Sequence, residues 1–192
     1  MKIAVLLATG YEEGESLFVV DILRRAGFRA ESVSTTGDRL VAGAQGIVSQ
    51  ADRLLDDDIK DYDMIVLPGG QPGANNLNAN EKVLDLLRHF DKQHKFIAAI
   101  CAAPMVLHTA GIDKGRRLTS YPADKYRDLF KESIYVEDEI VIVDDNLITS
   151  RGPATTLPFA YKLVDVLGGD GDALREKMLY NMLCAFQARG AV

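Results

Sequence analysis

The sequence predicts an α/β protein of the flavodoxin-like type, a three-layer sandwich in which helices cover both faces of a mostly parallel sheet. Two observations predict this fold class. Short and almost wholly apolar segments, such as residues 2–8 and 96–100, are typical of strands that are buried on both faces. These segments alternate with helical ones, such as residues 80–94, whose apolar side chains recur every three or four positions.

The first half of the chain supplies these elements in order. Strands are predicted at residues 2–8, 28–34 and 63–67, and the last of them ends in the turn Pro68-Gly69-Gly70. Helices are predicted at residues 15–26, ending at Gly27, and at residues 80–94. The glycine-interrupted segment 40–49 is compatible with two short strands.

The second half begins with a strand at residues 96–100, which leads into a tight turn at Cys101 and a helix that starts near Pro104. This arrangement predicts a nucleophile elbow at the cysteine. One antiparallel hairpin is expected near the end of the sheet. The remaining predicted elements are short strands at residues 116–120, 137–144 and 147–150, a helix at 153–167 opened by Pro153, and a final helix at 172–187.

Composition narrows the function classes. With 192 residues, 47% of them hydrophobic, the chain is expected to form a single domain over residues 1–192. A net charge of −6 argues against binding to nucleic acid or to an anionic membrane surface. No apolar run is long enough for a membrane span, and the first apolar run is too short for a signal peptide. The two cysteines fit a reducing cytoplasm, and the absence of a Cys/His cluster predicts no metal site.

The candidate site is built from three loops that follow the buried strands at residues 2–8, 63–67 and 96–100. In a parallel sheet these loops meet at one edge, where open α/β sheets place their chemistry. Cys101 lies in the third loop, and the start of the next helix is expected to favour its thiolate. The alternative is an inert, buried cysteine. For Cys184, on the apolar side of the predicted last helix, the inert interpretation is preferred.

A cysteine nucleophile needs a partner that accepts its proton. None of the three histidines is expected within hydrogen-bonding distance of Cys101, where a general base must lie. His108, for example, is about 10 Å from Cys101 along the predicted helix. A carboxyl group can serve instead, because a buried carboxylate and thiolate would share one proton. Glu12, Glu13 and Glu15 are all candidates, and helix-terminal acids are also common without any catalytic role. The residues alone do not select one of them.

Gly69 and Gly70 allow two interpretations. Glycines let backbone N–H groups approach a ligand, so this turn and the N–H of Ala102 can form an oxyanion hole. They can also simply form a tight turn. Neither phosphate-binding glycine motif is present, and no cofactor is expected.

Taken together, the motifs resemble those of the ThiJ/PfpI superfamily, in the branch of the Parkinson-disease-associated protein deglycase and its bacterial relatives. The resemblance is collinear over nearly the whole chain. It rests on the segments GYEEGE at 10–15, RRAG at 24–27, VLPGG at 66–70, AAICAAP at 98–104 and TSRGP at 149–153.

The resemblance implies that Cys101 is the reactive nucleophile and that Glu15 is the protonated acid that hydrogen-bonds it and promotes its oxidation to a sulfinate. It also implies backbone donors at Gly70 and Ala102 and a homodimer whose interface lies close to the cysteine. Tyr121 stands where this branch often has a histidine, and Ala102 stands where the protease branch has one. Tyr121 is therefore a possible third member of the site, but a poor base at neutral pH.

Three function classes follow. The first is a cofactor-independent deglycase or glyoxalase in which Cys101 attacks a reactive dicarbonyl or its adduct and Glu15 moves the proton. The second is a stress-responsive redox sensor or chaperone that uses the same thiol. The third, a cysteine peptidase or amidase, lacks a base next to Cys101 and would need one from a partner subunit.

Overall fold

The computed structural model describes residues 1–190, in which a seven-stranded sheet carries helices on both faces. No helix in this range is both long enough and apolar enough to cross a membrane. The strands are β1 Lys2–Leu7, β2 Arg29–Ser34, β3 Leu40–Ala42, β4 Val48–Gln50, β5 Arg53–Leu54, β6 Met64–Leu67, β7 Phe96–Ile100, β8 Arg117–Leu118, β9 Ile134–Tyr135, β10 Val141–Asp144 and β11 Leu147–Ser150. The α-helices are α1 Glu13–Arg25, α2 Gly73–Asn78, α3 Glu81–Lys92, α4 Pro104–Ala110, α5 Asp124–Arg127, α6 Thr156–Val166, α7 Gly171–Lys177 and α8 Tyr180–Ala188.

The central sheet has the order β10-β11-β7-β6-β1-β2-β5, and every neighbouring pair except β10-β11 is parallel. Apolar side chains fill both of its faces. One face packs against α1 and α6, and the other against α3 and α4. The predicted three-layer, flavodoxin-like fold with an antiparallel hairpin near the end is therefore confirmed.

The register of the sheet brings the three predicted loops together. Strands β1, β6 and β7 are adjacent, with Val5 beside Val66 and Leu67 beside Ala99. Because these strands are parallel, the segments that follow Leu7, Leu67 and Ile100 leave the same edge of the sheet. The two short strands expected in segment 40–49 are present at 40–42 and 48–50, and they form an antiparallel hairpin separate from the main sheet, which was not predicted.

Several boundaries differ from the prediction. Helix α1 begins at Glu13 rather than at residue 15, and α2 was not predicted because its sequence, GANNLN, contains glycine and asparagine and little apolar periodicity. Strand β8 pairs with β9 outside the main sheet. The predicted helix at 153–167 begins with a 3₁₀ turn at Pro153–Thr155 before α6.

The prediction of one continuous final helix over residues 172–187 is wrong. This segment divides into α7 and α8 at Leu179, whose φ of 62° lies in the left-handed region and ends the first helix. Helix α8 has no buried residue, and Cys184 on it is exposed rather than packed in the core. The apolar periodicity at 174–186 thus reflects two helices with different surroundings.

Candidate active site

Cys101 occupies a strained turn between β7 and the segment that leads into α4. Its φ of 64° is unusual for a residue with a side chain. The backbone holds this conformation on both sides, because Cys101 N donates to Ser150 O at 3.0 Å and Tyr121 N donates to Cys101 O at 2.8 Å. The predicted nucleophile elbow is therefore present, and its side chain is only partly exposed.

Glu15 is the acid that the fold places beside this cysteine. Its side chain is fully buried, and Oε2 accepts a hydrogen bond of 2.7 Å from the backbone N–H of Gly69. The other oxygen, Oε1, is buried and has no hydrogen-bond partner among residues 1–190. One carboxyl oxygen is thus fixed by the β6 loop, while the other is left with unmet hydrogen-bonding capacity in the interior.

Gly69 is required by close packing rather than by its backbone angles. A Cβ atom at this position would lie 2.7 Å from the Cβ of Cys101, 2.8 Å from Oε2 of Glu15 and 3.0 Å from the backbone N of Ala102. The missing side chain therefore lets the thiol, the carboxyl and an amide converge on one point.

The other two acids of this segment have different positions. Glu13 is buried, and its Oε1 accepts hydrogen bonds from the backbone N–H groups of Gln45 at 2.8 Å and Ile47 at 3.3 Å. It therefore anchors the β3–β4 hairpin. Glu12 lines the pocket next to Cys101, and partial burial together with the charge of Glu13 raises the pKa of its carboxyl.

Burial dominates the electrostatics of the thiol and the carboxyl. It raises the pKa of Glu15 to about 7, against the opposing effects of the Gly69 amide and of the thiol. It also raises the pKa of Cys101 to about 12, with further increases from the charge and hydrogen-bonding capacity of Glu15. The backbone N–H groups of Gly70 and Ala102 act in the opposite direction and lower the pKa of the thiol.

The expectation that a helix end leaves Cys101 readily ionised is therefore not met, because burial, the largest cause, and then the charge of Glu15 raise the pKa of the thiol to about 12. The physical reason is that burial penalises both charges and that the ionised carboxylate repels a thiolate. Both effects of Glu15 on the thiol require its negative charge. When the shared proton is on Glu15, these two effects disappear, and the Gly70 and Ala102 amides face the sulfur without a competing carboxylate.

A pocket of about 290 Å³ opens in front of the sulfur. Tyr121 forms part of its wall. The residue is 45% exposed, and its ring makes an edge-to-face contact with Tyr126 at a centroid distance of 6.4 Å. The lining residues are Glu12, Gly70, Gln71, Cys101, Ala102, Tyr121, Lys125, Tyr126 and Pro153. The sequence-predicted Cys101, Gly70, Ala102 and Tyr121 are thus brought together at one pocket, with Glu15 buried behind the thiol.

No histidine lines this pocket within residues 1–190. Nδ1 of His108 lies 2.9 Å from the buried carboxyl of Asp113, and His94 lies 3.1 Å from Asp145. In the same part of the chain, no three His, Cys, Asp or Glu side chains are grouped as a metal site would need. The groups that the structure offers to the thiol are therefore a carboxyl and backbone amides.

Sequence reasoning missed two contributors to the site and did not foresee the role of a third. Gly69 was a candidate donor to the oxyanion, but its amide holds Glu15 instead. Lys125 and Tyr126, which were not predicted, line the pocket. They follow a short strand outside the main sheet, so the sequence pattern does not place them at the cysteine. The hydrogen bond from Tyr121 N to Cys101 O and the packing of Tyr126 with Ala102 bring this segment to the site.

Comparison with known proteins agrees with this geometry. The sequence model of the DJ-1/PfpI family matches residues 1–166. The chain belongs to the DJ-1/PfpI family. Its residues 167–190, which include α7 and α8, lie beyond the part matched by that family.

Individual members of the DJ-1/PfpI family resemble the chain over most of its length. Protein dj-1beta of Drosophila melanogaster is 42% identical over 166 residues, which cover 86% of this chain and 88% of that protein. Its crystal structure superposes with a TM-score of 0.87 at 38% identity, covering 93% of this chain and 98% of the other. The Parkinson disease protein 7 homolog of Danio rerio is 36% identical over 86% of this chain and 88% of that protein.

A further solved relative is DJ-1 of Toxoplasma gondii, determined in an oxidised form. It superposes with a TM-score of 0.84 at 33% identity and covers 95% of this chain and 97% of the other. Family and fold are therefore shared over nearly the whole length of these proteins.

Proposed function

We propose that the protein is a cofactor-independent glyoxalase or deglycase that acts on reactive dicarbonyls, or on their adducts with amines and thiols, through Cys101. The observation that carries the proposal is the fully buried Glu15 behind the thiol. Burial places its pKa at about 7, which is close to the value that best suits a group that both accepts and donates protons at neutral pH.

The first step joins the thiol to the aldehyde. As Sγ of Cys101 forms a bond to the aldehyde carbon, the thiol proton passes to the carboxylate of Glu15. Transfer to Glu15 removes the repulsion that otherwise holds the proton on sulfur. The N–H groups of Gly70 and Ala102 already interact with the sulfur, so they are near enough to stabilise the oxyanion that forms on the adjacent carbon.

The later steps reuse the same carboxyl group. Glu15 returns its proton to the oxyanion to give a hemithioacetal, then removes the hydrogen of the former aldehyde carbon, which leaves an enediolate. It delivers that proton to the neighbouring carbonyl carbon, and the hydroxyl proton on the former aldehyde oxygen passes to the neighbouring oxygen. The result is a thioester of a 2-hydroxy acid, which water hydrolyses. For methylglyoxal, one dicarbonyl and one water give lactate and a proton, and the thiol is regenerated.

The experiment is conversion of methylglyoxal to lactate by the purified protein and by matched variants. Cys101→Ser is expected to abolish turnover, because a serine hydroxyl is a much poorer nucleophile at this site. Glu15→Gln is expected to lower kcat by about a hundredfold or more, the usual range for loss of a general acid–base group. Cys184→Ser, which changes the exposed cysteine on α8, is the control and should retain the rate. Equal rates for the wild type and Cys101→Ser would refute the proposal.

A second candidate function, redox sensing at Cys101, is favoured by the buried carboxyl of Glu15 beside the thiol. Oxidation of the thiol to a sulfinic acid adds two oxygens that need hydrogen-bond donors. A protonated Glu15 can donate to one of them, and the Gly70 and Ala102 amides are further donors. Mild peroxide should therefore add two oxygen atoms at Cys101, seen by intact mass and peptide mapping. Oxidation of methionines without change at Cys101 would argue against this function.

We also infer that the chain forms a homodimer. Leu17 and Phe18 on α1 are 42% and 48% exposed, and Ile47 near the β3–β4 hairpin is 55% exposed. Glu13 ties that hairpin to the start of α1, so these apolar side chains lie on neighbouring elements. Light scattering should give twice the chain mass for the wild type and a monomer for Leu17→Glu/Phe18→Glu, whereas Ile134→Glu should remain dimeric. A monomeric wild type would contradict the inference.

A further inference from the structure

The pocket in front of Cys101 carries one cation. Lys125, on α5, is the only lysine or arginine among its lining residues in the described part of the chain. The pocket volume of about 290 Å³ lies near the lower end of the range for small-molecule sites, roughly 300–1,000 Å³. A site of this size accepts molecules larger than a three-carbon dicarbonyl, and the extra atoms would extend from the sulfur along the wall that includes Lys125.

The charge of Lys125 is not neutralised by a protein carboxylate. Within residues 1–190, no Asp or Glu lies at ion-pair distance from it. The adjacent Arg127, by contrast, lies 3.6 Å from Asp124 and 3.1 Å from Glu137. In the described part of the chain the ammonium group of Lys125 therefore has no ion-pair partner and is available to a ligand.

The position of this ammonium group is defined by an aromatic ring. Nζ of Lys125 lies 4.8 Å from the centroid of Tyr126, a distance at which a cation is attracted to the ring face. Tyr126 is itself buried, and its hydroxyl accepts a hydrogen bond of 3.1 Å from Nε2 of Gln71, another lining residue. Lys125 is exposed, and this contact favours positions of its ammonium group next to the pocket wall.

We propose that this pocket selects α-oxoaldehydes that carry an anionic group, with the aldehyde at Cys101 and the anion at Lys125. The inference rests on the proposed function for the reaction and adds the substrate class. Glu12 lines the same pocket and works against anion binding when it is ionised. The two charges together favour a ligand whose anionic group lies on the Lys125 side, away from Glu12.

The first test measures charge selection at the sulfur without requiring turnover. Iodoacetate and iodoacetamide alkylate the same thiolate, which displaces iodide in both cases, but only iodoacetate is anionic. Rates at Cys101 are followed by intact mass in a Cys184→Ser background. The ratio of the iodoacetate rate to the iodoacetamide rate is expected to fall about tenfold in Lys125→Met, the scale of local electrostatic effects on encounter rates. Lys125→Arg should keep the ratio, and Glu12→Gln should raise it.

The second test uses a matched pair of substrates. The anionic one is 4,5-dioxopentanoate, which with one water would give 2-hydroxyglutarate and a proton, and the neutral one is its methyl ester. The ratio of their kcat/KM values should favour the anion in the wild type and fall about tenfold in Lys125→Met. Lys131→Met, an exposed lysine outside the pocket, is the control. Added salt should reduce the preference, because a partly exposed charge is screened.

The outcomes separate the two proposals. If Lys125→Met leaves the alkylation ratio unchanged, the charge of Lys125 does not act at the sulfur and the anion selection is refuted. If the alkylation ratio falls but neither dicarbonyl is turned over, the anion site stands and the proposed enzyme activity fails. If both dicarbonyls are turned over with the same ratio in the wild type and Lys125→Met, the proposed substrate class is wrong.

Discussion

Replacement of Glu15 by glutamine tests the electrostatic basis of the site through stability, without any assumption about the substrate. Glutamine has nearly the same shape as a protonated glutamic acid, and its carbonyl oxygen can accept the hydrogen bond from Gly69. Unlike Glu15, it cannot become charged in the fully buried position. The variant therefore keeps the packing of the wild type and removes one titration.

The magnitude follows from the pKa of Glu15. A rise from 4.5 to about 7 means that the folded state holds the proton more tightly than the unfolded chain does. The associated stability is fully present below pH 4.5 and is lost as the pH rises through 7. At about 1.36 kcal/mol per pKa unit, the wild type loses roughly 3 kcal/mol over this window relative to Glu15→Gln.

Urea unfolding at several pH values between 4 and 8 is the assay. The two proteins should have similar free energies of unfolding near pH 4, and Glu15→Gln should be more stable by about 3 kcal/mol near pH 8. Glu81→Gln, at the exposed start of α3, is the matched control and should show no comparable change. A difference between wild type and Glu15→Gln that does not vary with pH would refute the raised pKa and, with it, the role of Glu15 as a proton acceptor near neutrality.

Two further predictions concern the same group of residues. The rate at which iodoacetamide alkylates Cys101 should rise with pH through a first step near 7, because the carboxyl–thiol pair loses its first proton there. Glu15→Gln should lack that step. A single step near 7 in both proteins would contradict the shared proton. Gly69→Ala should lower the alkylation rate and the thermal stability together, because the new Cβ would lie 2.7 Å from that of Cys101. Wild-type reactivity and stability in Gly69→Ala would show that the close approach at this position is not required.

The fold was largely predictable because its sheet is built from uninterrupted apolar strands. Strands β1, β6 and β7 are each short apolar runs followed by loops with glycine or by the cysteine, and these features place Cys101 at the edge of the sheet. The division of the last helix at Leu179 was not predictable, since no glycine or proline marks it. Leucine seldom adopts the left-handed conformation, so local sequence preference does not indicate this position.

The choice among the three acids could not be made from the sequence either. Glu12, Glu13 and Glu15 are separated by only three positions, and their side chains point to the pocket, the β3–β4 hairpin and the thiol. Their directions depend on where α1 begins, and the helix starts two residues earlier than its apolar pattern indicated. Successive residues of a helix differ in direction by about 100°, so Glu13 and Glu15, two positions apart on α1, point to different sides of the helix and have different roles.

A single proton shared by Cys101 and Glu15 connects the two candidate functions. With the proton on sulfur, the carboxylate is a base that is ready to accept it when an aldehyde approaches. With the proton on Glu15, the thiolate faces the Gly70 and Ala102 amides and is open to oxidation, since the thiolate is the form that reacts with peroxide. Catalysis and oxidation therefore compete for the same thiol. A dicarbonyl bound at Cys101 should slow its oxidation by peroxide, and a sulfinate at Cys101 should end turnover.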